Sequence, residues 1–183
     1  MNLIEMGVFS MLSKLNKSAS TSISTTLVEV LNDQMNYEFY SSHAYLAMAS
    51  YCKFENYDGF AQFFQDHAEE ERSHGMKIFN YLQDRGEQAI ISSFEHPTNK
   101  FESVLDVFEK ALEHEKEVTS RFYNLSDIAG DEKEYATISF LKWFINEQVE
   151  EESVFDSIVQ KLKRINNDAN SLFIYDLKMG KAE

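Results

Sequence analysis

Glu71 and His74 stand three residues apart, so any helix that contains them offers a carboxylate and an imidazole from one face. Taken alone, that pair is common. Glu69-Glu70-Glu71 taken alone reads as a solvated helix face. Glu38, Glu115 and Glu151 change the reading, because each lies midway along its own apolar-periodic run. Written as seams, the first run is Leu27, Leu31, Gln34, Glu38, Ser41, Tyr45, Met48, Cys52. The second is Phe60, Phe64, His67, Glu71, His74, Ile78, Leu82, with Phe63 alongside. The third is Phe101, Leu105, Phe108, Leu112, Glu115, Thr119, Phe122, and the fourth is Leu141, Phe144, Gln148, Glu151, Phe155, Ile158, Leu162. Every seam is apolar at its ends and acidic near its middle. In a bundle the middles fall at one height whichever way each helix runs, so four carboxylates and one imidazole converge in the core.

Four buried carboxylates without compensation are strongly destabilising or must take up protons. No lysine or arginine stands on the seams to pair with them. A cluster of divalent cations is the simplest compensation. Oxygen ligands with one imidazole suit iron or manganese, and zinc can also bind. Tyr45, two turns after Glu38, has two readings: a core tyrosine whose hydroxyl finds a partner, or a phenol that bonds a bridging carboxylate or gives up an electron. Cys52 reads as a buried apolar filler, Met35, Met48 and Met76 as packing or surface residues, and Trp143 as packing. His67, one turn before Glu71, is a candidate neighbour of the ligands. His43, His96 and His114 lie off the seams and read as surface or subunit contacts.

Long helices are needed to carry these seams, and the punctuation agrees. The chain has one proline and six glycines in 183 residues. Thr26 with Glu29 predicts a capping box and a first helix reaching Phe54. Asp58 is expected to cap a second helix that Gly86 ends. Residues 87–98, with Pro97, form the longest connection. Asn99 with Glu102 is expected to start a third helix ending at Gly130, a fourth spans about Glu132 to Asn166, and a short fifth segment runs from Ser171 to Met179. The expected fold is an all-α four-helix bundle with a long crossover between its second and third helices and a short C-terminal fifth helix.

Composition narrows the function classes. Seventeen basic against 31 acidic residues give a net charge of −14, which disfavours nucleic acid and anionic membranes and suits a protein that attracts cations. The single cysteine excludes an intrachain disulfide and a CxxC metal knuckle. No apolar run is long enough to span a bilayer. Residues 1–24 read as a flexible N-terminal extension: Met6–Leu12 is apolar, but Glu5 precedes it and no basic segment or cleavage site frames a signal peptide. Ser18–Thr26 reads as a linker, Met6 and Met11 are alternative starts, and the expected location is cytoplasmic.

LNDQMNYEFYSSHAYLAMASYC (31–52), HAEEERSHGMKIFNYLQDRG (67–86), EHEKEVTS (113–120) and FLKWFINEQVEEESVFDSI (140–158) together resemble a bacterial non-haem ferritin over about residues 25–178. The resemblance implies a ferritin-like domain over 25–183. It also implies a hollow shell of 24 identical subunits that oxidises Fe(II) with O2 or H2O2 and stores ferric mineral. Glu38, Glu71 and His74 would hold a first iron and Glu71, Glu115 and Glu151 a second, with Gln148 beside it. Glu70, Glu147 and Glu150 would hold a third on the cavity side, with Glu151 as a shared ligand. Tyr45 matches the family tyrosine next to the first site. Haem is not expected: Gln148-x-x-Glu151 stands where bacterioferritins carry a second E-x-x-H, and Arg72 where they carry a haem methionine. Ile138 and Leu141 occupy places that are acidic around the pore of animal ferritins, leaving Asp131, Glu132 and Glu134 nearby. The rival class, a rubrerythrin-like di-iron peroxidase, usually adds a CxxC module and a second histidine, and this sequence has neither.

Overall fold

The computed structural model describes residues 23–180, and among them the secondary structure is entirely helical. The helices are α1 (Thr25–Phe54), α2 (Asp58–Asp84), α3 (Val104–Asp131), α4 (Tyr135–Ile165) and α5 (Ala169–Met179). The first four have 27 to 31 residues, some 40 to 45 Å at about 1.5 Å per residue. The expected flexible extension lies almost wholly outside the described residues. Its last members, Ile23 and Ser24, belong to the bundle: Ile23 is buried, and the Ser24 hydroxyl accepts the Leu27 N–H at 3.1 Å.

Three helix starts differ from expectation, each for a local reason. Ser24 rather than Thr26 caps α1. At α2 the carboxylate expected to cap is engaged elsewhere, because Asp58 Oδ1 accepts from Lys53 Nζ at 2.6 Å. For α3 the cap is Ser103, not Asn99, whose side chain instead donates to the Pro97 carbonyl. Of the stops expected at Gly86, Gly130 and Asn166, two behave as read, while Gly130 lies inside α3, which runs on to Asp131 and is capped by Glu132. Gly86 follows α2 at φ +77°, where a side chain would be strained, and Asn166 ends α4 in the left-handed region.

α1 pairs with α2 and α3 with α4, each pair joined by a turn of three residues. Residues 85–103 cross between the pairs and are tied to α1 by two asparagines. Asn32 Oδ1 accepts the Ile90 N–H at 2.5 Å, Asn36 Oδ1 accepts the Ser92 N–H at 2.9 Å, and Asn36 Nδ2 donates to the Ile90 carbonyl at 2.8 Å. α5 docks on the start of α2. Its buried Asp176 accepts the Phe60 N–H at 2.8 Å, and Gly59 lets the two backbones touch, since a Cβ there would lie 1.8 Å from the Asp176 carbonyl oxygen.

The interior has two apolar clusters, not one. One gathers Met48, Cys52, Phe60, Phe64, Phe108, Phe155 and Leu162 at the α5 end. The other gathers Leu27, Leu31, Met35, Ile78, Leu82, Phe122, Leu141 and Phe144 at the opposite end. Burying each of these large side chains contributes roughly 1.5–3 kcal/mol. Between the clusters lies a polar waist.

Candidate metal centre

The waist is made of the residues at the seam middles. Glu38, Glu71, His74, Glu115, Gln148 and Glu151 are all buried, Glu38 and Glu115 completely. α1 supplies Glu38, with Gln34 one turn before it. Gln34 Nε2 donates to Glu38 Oε1 at 2.6 Å, while Gln34 Oε1 accepts from Arg121 Nε at 2.8 Å. The arginine thereby fixes the sense of the amide, turning its donor inward. Glu71 and His74 come from α2, with His74 Nδ1 3.6 Å from Glu71 Oε2. One ligand atom from each of Glu38, Glu71 and His74 lies within 4.8 Å of the others, a reach that one cation can bridge.

α3 and α4 supply the other side. The Tyr45 hydroxyl donates to one oxygen of Glu115, and Gln148 Nε2 donates to the other at 2.8 Å. Tyr45 fits the first of its two readings, a fully buried core tyrosine whose hydroxyl finds a partner, here a carboxylate of the waist. Glu151 Oε2 faces His67 Nε2 at 3.5 Å, so the histidine read as a candidate neighbour of the ligands does lie beside one of these carboxylates. Burial lowers the His67 pKa, but the Glu151 carboxylate outweighs it and the net shift is upward.

These groups are short of partners. Glu38 Oε2, Glu71 Oε2, His74 Nε2 and Glu151 Oε2 are buried with no hydrogen bond among the described residues. Native interiors rarely leave such atoms bare unless an ion or a function claims them. Burial, then the facing Glu71, pushes the Glu38 pKa well above the usual carboxylate range. Burial, then Glu115, does the same for Glu71. Glu115 rises to about 7, burial prevailing over the bonds from Tyr45 and Gln148. The donor set of oxygens and one imidazole fits a divalent transition ion, which would relieve the crowding of charge.

Two further groups flank the waist: His67, Glu70 and Glu151, and Glu70, His74 and Glu147, each with ligand atoms within 4.8 Å. Glu70 and Glu147 therefore come together around His74, while Glu150 is exposed and belongs to neither group. His114, read as a surface or subunit contact, is instead wedged beside Tyr45, its Nε2 2.7 Å from Ser41 Oγ. Burial and the nearby Arg121 lower its pKa to about 4. Its place on the α1-facing side of α3, next to Glu115, is the signal that could have found it. Trp143, read as packing, is instead exposed, with Lys77 Nζ 3.7 Å above its ring. Leu141 is buried in the core, so it faces no channel, and Glu134 is held by Arg85 through bonds of 3.1 and 3.3 Å.

A family model of the ferritin-like domain matches residues 28–165. The bacterial non-heme ferritin of Staphylococcus aureus is 52% identical over 158 residues, covering 86% of this chain and 95% of the relative. That of Staphylococcus epidermidis is 50% identical over 157 residues, with the same coverage. The open-pore ferritin of the archaeon Archaeoglobus fulgidus superimposes with a TM-score of 0.87 at 39% identity, covering 88% of this chain and all of that one.

Proposed function

The chain belongs to the ferritin family, and from that premise we propose that it stores iron, oxidising Fe(II) at the waist of its bundle and depositing the ferric product inside a shell of 24 copies. The observation that carries this reading is the set of four buried ligand atoms, on Glu38, Glu71, His74 and Glu151, that make no hydrogen bond among the described residues. Iron enters here as substrate. The acidic protein concentrates cations. Glu38, Glu71 and His74 bind one Fe(II), and Glu71, Glu115 and Glu151 bind a second with Gln148 beside it. Glu71 is the shared ligand: it lies with Glu38 and His74 in one group, and Glu115 is near enough to help raise its pKa.

Two Fe(II) ions give one electron each to O2, which leaves as peroxide; a further pair reduces peroxide to water. Tyr45, bonded to Glu115, is placed to supply an electron when iron is short. Its proton has an acceptor in that same carboxylate. The second position has no imidazole and therefore holds its ion less firmly, which favours release of the ferric product. Glu70 and Glu147, with Glu150 at the surface and Glu151 shared, lie on the way out and give released iron an oxygen-rich third stop. Hydrolysis of ferric ions then liberates protons and builds mineral.

The test is an iron-loading titration in air. Fe(II) is added in increasing excess, oxygen uptake is followed, and the product is run on size exclusion with iron and protein detected together. The expected result is rapid oxygen uptake and co-elution of a large excess of iron with a very large particle. Retention of only a pair of ions per chain, with the remainder precipitating, would overturn storage and favour a di-iron oxidoreductase.

A further inference from the structure

The aromatic contacts do not stop at Tyr45. Its ring meets His114 edge-on with centroids 5.8 Å apart, and His114 stacks on Tyr37 at 5.4 Å with an interplanar angle of 18°. Tyr40 lies 6.0 Å from His114 and 5.5 Å from Tyr37. Burial falls along this row: Tyr45 is completely enclosed, while Tyr37 and Tyr40 are only partly buried. The row thus runs from Glu115 between α1 and α3 to side chains that solvent reaches in part. Its middle member is held still, with Nε2 of His114 on Ser41 Oγ and Nδ1 3.5 Å from the Tyr37 hydroxyl. A crevice of about 230 Å³ opens beside it, walled by Tyr40, His114, Lys110, Glu113 and Glu117. None of these rings holds iron in the reading above. Leucine would fill the same space, whereas tyrosines in contact can be oxidised in turn.

We propose that Tyr45, His114, Tyr37 and Tyr40 form a relay that carries an oxidising equivalent from the waist to the surface, giving the protein a peroxide-reducing activity fed by a neutral hydroquinone-type donor. This rests on the iron-oxidation reading. When one Fe(II) meets H2O2, cleaving the O–O bond to two waters takes two electrons and two protons. Fe(II) supplies one electron and Tyr45 the other, and the two protons come from solvent. The Tyr45 proton moves to Glu115, leaving a tyrosyl radical. That radical takes an electron from Tyr37 across the His114 ring, and Tyr45 recovers its proton from Glu115. The Tyr37 proton passes to His114 Nδ1 and on to solvent. Tyr37 in turn takes an electron from Tyr40 and a proton back through His114 Nδ1, the Tyr40 proton leaving to solvent. A hydroquinone at the crevice then gives a hydrogen atom to the Tyr40 oxygen and leaves as a semiquinone, two of which disproportionate to quinone and hydroquinone. Glu113 and Glu117 at the rim disfavour anionic donors, which is why the donor is neutral.

The experiment loads the full-length protein anaerobically with one Fe(II) per chain, then adds H2O2 and benzene-1,4-diol. Quinone is followed by absorbance, and freeze-quenched samples by electron paramagnetic resonance. Wild type is expected to produce quinone. Tyr37→Phe/Tyr40→Phe is expected to fall to the level of Tyr45→Phe and to keep its tyrosyl signal longer, while oxidising a pair of Fe(II) ions at the wild-type initial rate. Equal quinone production and equal radical decay in the double variant would overturn the relay and leave the iron chemistry standing. Failure of the wild type to oxidise a pair of Fe(II) ions would sink the function reading itself.

Discussion

Glu115→Gln replaces a buried carboxylate with a neutral side chain of the same shape. Gln can still accept from Tyr45, and Gln148 can turn its amide to present its carbonyl to the new NH2 group. The change is therefore close to a pure removal of charge. In the folded apo protein Glu115 titrates at about 7, against about 4.5 when unfolded. A folded pKa raised above the unfolded one means that the native state holds the extra proton between these values. Stability from this group is then complete below pH 4.5 and is lost as pH rises towards 7. Two and a half pH units at about 1.4 kcal/mol each amount to about 3 kcal/mol for a side chain this buried. The variant should be more stable than wild type by that amount at pH 7.5, with the gap closing towards pH 5. Using the difference between the two proteins cancels His114, whose lowered pKa acts in the opposite direction below pH 6.5. The assay is urea unfolding of both apo proteins by circular dichroism at fixed protein concentration. A gap that does not change with pH would refute the argument that the waist is short of positive charge. The same variant should lose rapid iron oxidation.

His74→Ala removes the one imidazole of the first position and should abolish rapid Fe(II) oxidation with helix content retained; a normal initial rate in stopped flow would show the assignment wrong. Gly59→Ala drives a methyl group into the Asp176 carbonyl, so α5 must detach, and limited trypsin digestion should cut at Lys178 far faster than in wild type. Phe155→Ala empties a fully buried site between Phe64, Phe108 and Tyr45 and should cost about 3–5 kcal/mol in denaturant unfolding. Asn36→Ala deletes two bonds to the crossover, each worth about 1 kcal/mol, and should speed hydrogen exchange at the Ser92 amide.

Much of the waist was legible because a helix seam is a one-dimensional rule. Glu38, Glu71, His74, Glu115, Gln148 and Glu151 share the phase of their apolar neighbours, and all six are buried. Helix starts were less legible, since capping is a competition: Lys53 captured Asp58, and the turn at Pro97 used Asn99. The third seam was read one residue, about 100°, off in places. Val104, Val107, Ala111 and Val118 are buried, whereas Phe101, Leu105 and Thr119 are only partly so. Particular pairings between helices escaped the sequence. His67 with Glu151, His114 with Tyr37, and Arg121 with Gln34 join residues 77 to 87 positions apart, and their meeting depends on how far each helix turns in the assembled bundle.

The two apolar clusters are divided by a layer that repels itself when empty. An apo chain of this design has weak adhesion across its middle, so its ends are free to open as separate cooperative units. Amide exchange in the apo protein should therefore show two populations, one for residues around Phe60, Phe108 and Phe155 and one for those around Leu31, Phe122 and Phe144. A divalent ion bridging Glu38, Glu71 and His74 would fuse them into one unit, because opening either end would then mean releasing the ion. Redox-inert Zn(II) is enough to reveal this. The cargo would then also govern the mechanics of its carrier: a chain holding metal breathes as a whole, and a chain that has passed its metal on relaxes at both ends.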